Sequence, residues 1–444
     1  MKKSTIILSL IINGLMFSQQ TSFKFDLGSN RAEKGYIAVT DQTKFDHKIG
    51  YGFMDVADIK SVDRGGNALK GDFITSDKPF YFSVILPEGN YDVKLTFGDT
   101  KETSNNTVRV ENRRLMLDNL KTKKGEVVEK LFTVNVKDSI IRNPQGQEIG
   151  VVKLKSREVK YLHWDNMLTI EFNDKNSKVS AITIEPNTKA KTIFITGDST
   201  VVDYLAEPYG AWGQMLPYFF KPGDIAINNN AESGETLLAF ESRKRIDKIW
   251  NQMKPGDYLF IQFAHNDQKP KSANYLEAHT GYKNKLKEWI QKTKKLGGIP
   301  VLVTSMNRRS FDEFGKIINT HGDYPAVMKE VAKEENIALI DLQDMSKSFF
   351  EALGPEESKK ALIHFPANSF PNQPKALADD THFSTYGAFE LAQCVVKSIV
   401  EQDLPLKQYI NSNYKGYDPN KPAKFEDFHW PVSAFLETKK PDGN

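Results

Sequence analysis

The 444-residue chain has a single cysteine, Cys394. One thiol cannot close an internal disulfide, and thiolate metal clusters and Cys-x-x-Cys redox motifs are excluded with it. Cys394 lies in Ala388–Val400, a segment of helical period, and reads as a small core hydrophobe. Excess charge of either sign is also missing: 60 Lys and Arg stand against 57 Asp and Glu, a formal charge of +3. With no basic cluster interleaved with aromatics, nothing points to nucleic acid, while an acidic substrate is acceptable. No apolar run is long enough to span a bilayer. There is no P-loop, no His-Glu-x-x-His, no Gly-x-Ser-x-Gly elbow and no Ser-x-x-Lys at Ser199. Internal repeats and low-complexity segments are absent as well.

What is present begins with a leader. Lys2 and Lys3 precede an apolar stretch, Ile6 to Phe17, that exits into Ser18-Gln19-Gln20. Basic, then apolar, then small and polar is the layout of a secretory signal peptide, assigned to 1–20. No cysteine follows to carry a lipid. The mature protein is expected to be exported and soluble, periplasmic or extracellular.

The length predicts more than one domain. From 22 to 186 apolar and polar residues largely alternate, as in Tyr81–Leu86, Tyr91–Phe97, Leu168–Phe172 and Ser180–Ile184. Turn signals such as Pro87-Glu88-Gly89-Asn90 and Asn173-Asp174-Lys175-Asn176 separate them. Short alternating strands at this spacing predict an antiparallel β-sandwich. Trp164, Tyr51 and Phe53 are candidates to stack on a sugar face, although aromatics in a sandwich are more often core.

A polar linker, 187–191, follows, and then the period changes. Strand-like runs at Ile193–Thr196, Ile225–Asn228, Tyr258–Phe263, Pro300–Thr304 and Ala338–Asp341 alternate with helix-like segments. These are Trp212–Phe220, Leu238–Met253, Tyr275–Lys295, Tyr324–Glu335, Met345–Leu353 and Tyr386–Val400. Such alternation predicts a five-stranded parallel sheet between helices, an α/β domain over 192–410. Gly297-Gly298 is expected to stop the third helix. The stretch 411–444 carries too many aromatics for a disordered tail and is expected to pack on the second domain.

Four blocks fall at strand ends or before the last helix: Gly197-Asp198-Ser199, Asn229–Thr236, Phe263–Asp267 and Asp379–Ser384. Ligands bind beyond the C-terminal ends of such strands. Ser199 is a nucleophile that needs a base, His382 can be that base, and an aspartate three residues earlier can hold the imidazole tautomer. Asp379 and its neighbour Asp380 could instead be helix caps. The backbone N–H groups of Ser199 and Gly234, with the Asn266 amide, can hold an oxyanion. Taken singly each residue has a plainer reading as a turn, cap or core group. Together they supply what acyl transfer requires. Arg308-Arg309, with His265, are candidate substrate contacts, since arginine forks suit a uronate carboxylate; a salt bridge to a loop acid is the plain alternative. His265 and His382 show no metal spacing, and the chemistry needs no cofactor.

The pieces FITGDSTV, YGAWGQ, FIQFAHNDQK, Arg308-Arg309 and DDTHFSTYGA make the second half similar to the SGNH (GDSL-like) hydrolases, and more narrowly to the rhamnogalacturonan acetylesterase family. The first half resembles galactose-binding-like jelly rolls. The resemblance implies a flavodoxin-like three-layer α/β/α domain with Ser199, Asp379 and His382 as triad. It makes Gly234 and Asn266 the remaining oxyanion donors. It also implies acetyl removal from a pectic polysaccharide, most naturally rhamnogalacturonan. A xylan acetylesterase, a lipid esterase and a non-catalytic glycan-binding protein are the alternatives. Two positions depart from the family pattern. Ala264 replaces a usual Gly and is expected to be harmless if strand-like, and Glu235 stands where fungal relatives tend to carry Arg.

Overall fold

The computed structural model describes residues 20–29, 31–55 and 57–442. The signal-peptide assignment to 1–20 lies outside the described residues except for Gln20. Two sheets form the first half. One has seven strands, with Val127–Val136, Gly89–Gly98, Ser177–Pro186, Phe23–Leu27 and Ile37–Val39 in spatial order. Asp72–Ser76 joins Ser177–Pro186 at the side and carries Lys60–Asp63. The other sheet orders Tyr51–Phe53, Phe80–Ile85, Met167–Asn173, Ser104–Val110 and Arg114–Thr122. Pairing among these described strands is antiparallel except between Phe23–Leu27 and Ile37–Val39, which run parallel. The alternating apolar residues of both sheets, among them Phe25, Phe82, Phe97, Phe172 and Ile182, close one core. The turn residues Asp174 and Asn176 adopt φ of +93° and +65°, a conformation that short polar side chains tolerate.

This packing overturns two of the sugar-stacking candidates, Phe53 and Trp164. Phe53 is buried against Phe80 and Phe82, and Tyr51 leans on Phe25 at a centroid distance of 4.9 Å. Trp164 is buried beneath Lys137, whose Nζ is 4.4 Å from the ring. Phe53 and Trp164 are packing residues, whereas Tyr51 is half-buried at the edge of the core.

In the second half, five strands pair in parallel in the order Ile225–Asn229, Lys191–Thr196, Tyr258–Ile261, Ile299–Val303, Ala338–Ile340. This is the flavodoxin-like order, with a topological switch beside the first strand. Ile225–Asn229 and Tyr258–Ile261 are buried at every position, as strands covered on both faces must be. Tyr324–Glu335 forms as one helix, whereas the expected Leu238–Met253 helix is split into Leu237–Ser242 and Arg245–Gln252 by Lys244, at φ +60°. Gly297 follows the helix Lys283–Lys295 and its Leu296 cap at φ +79°. A three-stranded antiparallel sheet, Tyr209–Gly210, Leu377–Ser384 and Leu362–Phe365, stands beside the parallel one. Nothing in the apolar periodicity announces it. Cys394 is fully buried in the last helix, Thr385–Glu401.

The tail spans both halves. Phe425 and Phe428 pack on Tyr386. Trp430 then covers the Arg109 guanidinium of the sandwich at 3.8 Å, and Ser433 Oγ meets Tyr81 Oη at 2.7 Å.

Candidate active site

Strand Lys191–Thr196 ends at Gly197. A Cβ there would lie 2.6 Å from Val201 Cγ2 and 3.0 Å from Gln262 O, so only glycine fits. The chain turns at once. Asp198 O accepts from Val201 N, and Asp198 Oδ1 accepts from Thr200 N and Oγ1 at 2.9 and 2.8 Å. Thr200 Oγ1 in turn accepts from Gln262 Nε2 at 2.8 Å, and Gln262 Oε1 accepts from Trp212 Nε1 at 2.8 Å. These bonds fix the turn that carries Ser199 just past the strand end. Burial pushes the Asp198 carboxyl up, against the Thr200 hydrogen bonds and the charges of His382 and Arg308.

The second block docks on the first, with Glu232 N donating to Gly197 O at 3.2 Å. Gly234 has φ +78°, where a side chain would strain the backbone. Asn266 Nδ2 donates to Glu235 O at 3.1 Å, and its Oδ1 accepts from Lys269 Nζ at 2.9 Å. The Gly234 loop and Asn266 are therefore side by side. Ala264 differs from expectation: it lies beyond the end of its strand, with φ +157°, at the margin of the region that favours glycine. The usual glycine has a conformational reason there.

Asp379 and His382 sit on Leu377–Ser384. Asp379 Oδ2 faces His382 Nδ1 at 2.8 Å, while its Oδ1 accepts the N–H groups of Thr381 and His382 at 2.9 and 3.1 Å. Burial works to raise this carboxyl, but the bond and charge of His382 and the two backbone donors outweigh it and hold it at about 2. The Tyr209 ring meets the His382 ring edge-on at 6.0 Å and the Tyr204 ring at 5.5 Å. The Tyr204 hydroxyl donates to Ser199 O at 2.7 Å. Ser199 and His382 thus flank one pair of tyrosines. An ionised acid on one imidazole nitrogen, a hydroxyl at a strand end and a glycine-backed loop suit nucleophilic acyl transfer.

The remaining candidates separate. Arg309 is committed to structure: Nη1 pairs with Asp380 Oδ1 at 2.8 Å and Nε donates to Ser358 Oγ at 3.1 Å. The salt-bridge reading holds for it. Neither Asp379 nor Asp380 caps the last helix; Ser384 does, its Oγ accepting from Gly387 N. Asp380 instead pairs with Arg309 and, at 2.9 Å, with His364. Arg308 is half-buried behind His265, donating to His265 O and Thr320 Oγ1. His265 is buried and its Nδ1 lies 2.9 Å from His321 Nε2. It is a packed neighbour of the site. Among the described residues no group of three or more His, Cys, Asp or Glu side chains is arranged to hold a metal ion, and no helix is long and apolar enough to cross a membrane.

Residues from the sandwich complete the site, and sequence reasoning missed them because their partners are distant in the chain. Lys155 pairs with Glu235 at 2.8 Å, which gives the departing residue a role at the junction of the two halves. Arg157 Nε donates to the buried Glu232 at 2.7 Å and Nη2 to Ser233 O at 2.9 Å. Arg113 donates through both terminal nitrogens to Tyr209 O at 3.2 Å.

Residues 195–388 match the family described as GDSL-like Lipase/Acylhydrolase, and residues 23–139 match the Beta-agarase/YXIM esterase-like, galactose-binding domain-like family. Three proteins of Bacillus subtilis (strain 168) are similar to the chain. Rhamnogalacturonan acetylesterase RhgT is 40% identical over 222 residues, 50% of this chain and 94% of that protein. Probable rhamnogalacturonan acetylesterase YesY is 36% identical over 223 residues, 50% of this chain and 98% of that protein. Uncharacterized esterase YxiM is 26% identical over 402 residues, 88% of this chain and 94% of that protein.

Proposed function

The chain belongs to the GDSL-like lipase/acylhydrolase family, and from that premise we propose that it removes acetyl groups from rhamnogalacturonan outside the cytoplasm. The observation that carries the chemistry is the 2.8 Å contact of Asp379 with His382, on a hairpin beside the Ser199 turn. The substrate reading is supported by the two relatives named for that activity, which the hydrolase half matches nearly end to end. The basic and apolar residues of the leader support export.

In this reading His382 takes the Ser199 proton as Oγ attacks the acetyl carbonyl. The oxyanion is held by the N–H groups of Ser199 and Gly234 and by the Asn266 amide. His382 returns the proton to the sugar oxygen, which leaves as an alcohol. Water then attacks the acetyl-serine, with His382 again as base, and acetate is released. Asp379 stays ionised throughout and stabilises the imidazolium.

The test is acetate release from acetylated rhamnogalacturonan, acetylated xylan and a p-nitrophenyl octanoate control. The expected order of kcat/KM is rhamnogalacturonan first and octanoate last, and Ser199→Ala abolishes release. Preference for xylan or for the octanoyl ester would replace the substrate assignment. No release from any ester would return the chain to a glycan-binding role.

A further inference from the structure

The rim of the site is crossed by the segment after Leu436. Glu437 N donates to Glu207 O at 2.8 Å. Further on, Lys440 Nζ lies 3.6 Å from Asp379 Oδ2, and Asp442 Oδ2 lies 2.6 Å from Arg157 Nη1. A Cβ on Gly234 would come within 3.1 Å of Asp442 Cβ. An acidic side chain is thus held against the glycine assigned to the oxyanion hole, by an arginine that the sandwich contributes.

Arg157 is built for this. Its Nε and Nη2 are anchored by Glu232 and Ser233 O, as described above, which fixes the plane of the guanidinium. The Nη1 atom meets Asp442, beside Gly234, and the Tyr161 hydroxyl also hydrogen-bonds the guanidinium. An anchored guanidinium whose remaining edge already holds an exposed carboxylate is a preorganised carboxylate site, because little rotamer entropy is lost when one anion replaces another. Lys155 is next to it, with Nζ 3.5 Å from the position of a Gly234 Cβ. The contacts made by the crossing segment are weak by comparison. The side chains of Lys440 and Asp442 remain 50% and 60% exposed, against 5% and 32% for their partners Asp379 and Arg157, and such half-solvated pairs are screened by salt.

We infer that the Nη1 edge of Arg157 is a substrate subsite for a sugar carboxylate, and that Asp442 occupies it when no substrate is bound. The ligand class is an acidic sugar whose carboxylate lies within one ring of the scissile acetyl group. A polysaccharide that engages the cleft at several points displaces Asp442 from Arg157. The sandwich then has a defined part in specificity: it supplies the cation that reads the acid. This inference rests on the deacetylase reading.

The test uses the full chain hydrolysing p-nitrophenyl acetate at low salt, with galacturonic acid and galactose as inhibitors. Galacturonate is expected to inhibit competitively, and galactose not at the same concentration. Asp442→Asn should tighten galacturonate inhibition roughly three-fold, the worth of an exposed ion pair. Arg157→Gln, compared at matched thermal stability, should weaken it on the order of ten-fold, as loss of a charge-assisted pair does. Equal inhibition by the two sugars, or a galacturonate Ki unmoved by Asp442→Asn, overturns the subsite, and the second result decides even if Arg157→Gln fails to fold. Failure of the deacetylase reading shows elsewhere, as absence of acetate from acetylated rhamnogalacturonan while p-nitrophenyl acetate is still turned over.

Discussion

Asp379 and Asp380 are adjacent, and only one turns toward the imidazole. The i to i+3 spacing brings the Asp379 carboxylate onto His382 Nδ1 and two backbone N–H groups, whereas Asp380 reaches outward to Arg309 and His364. Asp379→Asn keeps the shape, removes the charge and favours the wrong tautomer, which in a Ser-His-Asp triad costs about 10⁴ in kcat. A loss on the order of 10²–10⁴ is expected here, since the oxyanion donors survive. Asp380→Asn breaks a half-exposed pair and should cost about 1 kcal/mol or less of stability, with kcat near wild type. Measuring kcat and thermal midpoint for both variants decides; turnover lost in Asp380→Asn and kept in Asp379→Asn reverses the assignment. The Asp379–His382 pair was legible because residues three apart in a tight turn come close in space. Arg309 was not, because nothing in a sequence says which acid an arginine will meet.

The elements that carry the site differ in how openly their residues announce them. The parallel strands are continuous apolar runs bounded by Gly and Asp, so their existence and order of chemistry could be read directly. The hairpin Leu362–Phe365 with Leu377–Ser384 could not: Leu377–Ser384 contains two aspartates, a residue type depleted in strands, and pairing to Tyr209–Gly210 supplies what propensity withholds. The split at Lys244 is equally silent, since a lysine at φ +60° leaves no signature. Ser384 joins hairpin to helix. Its Oγ accepts from Gly387 N at 3.3 Å and donates to Lys360 O at 2.8 Å. Ser384→Ala should therefore lower unfolding free energy by about 1–2 kcal/mol, read as a lower urea midpoint at unchanged m-value. A change under about 0.3 kcal/mol would deny the cap its role. The His265–His321 contact ties the turn after the third strand to the Asn319–Gly322 turn. Burial holds both imidazoles below their ordinary value, His321 down to about 3. For His321 the unfolded chain binds the extra proton between about pH 3 and 6.5, and His265 acts in the same direction, so the pair contributes stability that is lost as pH falls below about 6.5. Asp267, pushed by burial to about 7, acts with the opposite sign between about pH 4 and 7. The useful quantity is thus the difference between wild type and His321→Gln. The gap in urea midpoint should narrow from pH 7.5 to 5, and a constant gap would show that the pair is not held neutral.

At the scale of the whole molecule, the sandwich braces the hydrolase through buried charge. Arg113 pairs with Glu207 at 3.1 Å and Arg114 with Asp203 at 3.2 Å, all with side chains 6% exposed or less. Arg114 also donates to Ile227 O at 3.0 Å, and Asn112 Nδ2 to Asp203 O at 3.0 Å. Each half was recognisable by period alone, but these pairs join residues about ninety positions apart, and periodicity carries no information about such partners. Arg113 is the strongest case for testing. Its two terminal nitrogens hold Tyr209 O, and the Tyr209 ring lies against His382. Arg113→Met keeps the bulk but strands Glu207, whose remaining partners include Trp430 Nε1 at 2.9 Å. Breaking one side of a buried pair costs about 3–5 kcal/mol, whereas replacing both sides is often close to neutral. Arg113→Met should therefore destabilise by that amount, and Arg113→Met with Glu207→Gln by clearly less, a coupling that a double-mutant cycle in urea reads directly. Turnover separates bracing from mere stability. Both variants lose the anchor on Tyr209 O, so both should show kcat reduced on the order of ten-fold or more at a temperature where they are fully folded, as small displacements of catalytic groups do. If the double variant regains wild-type kcat along with its stability, the sandwich holds the fold together without positioning the histidine.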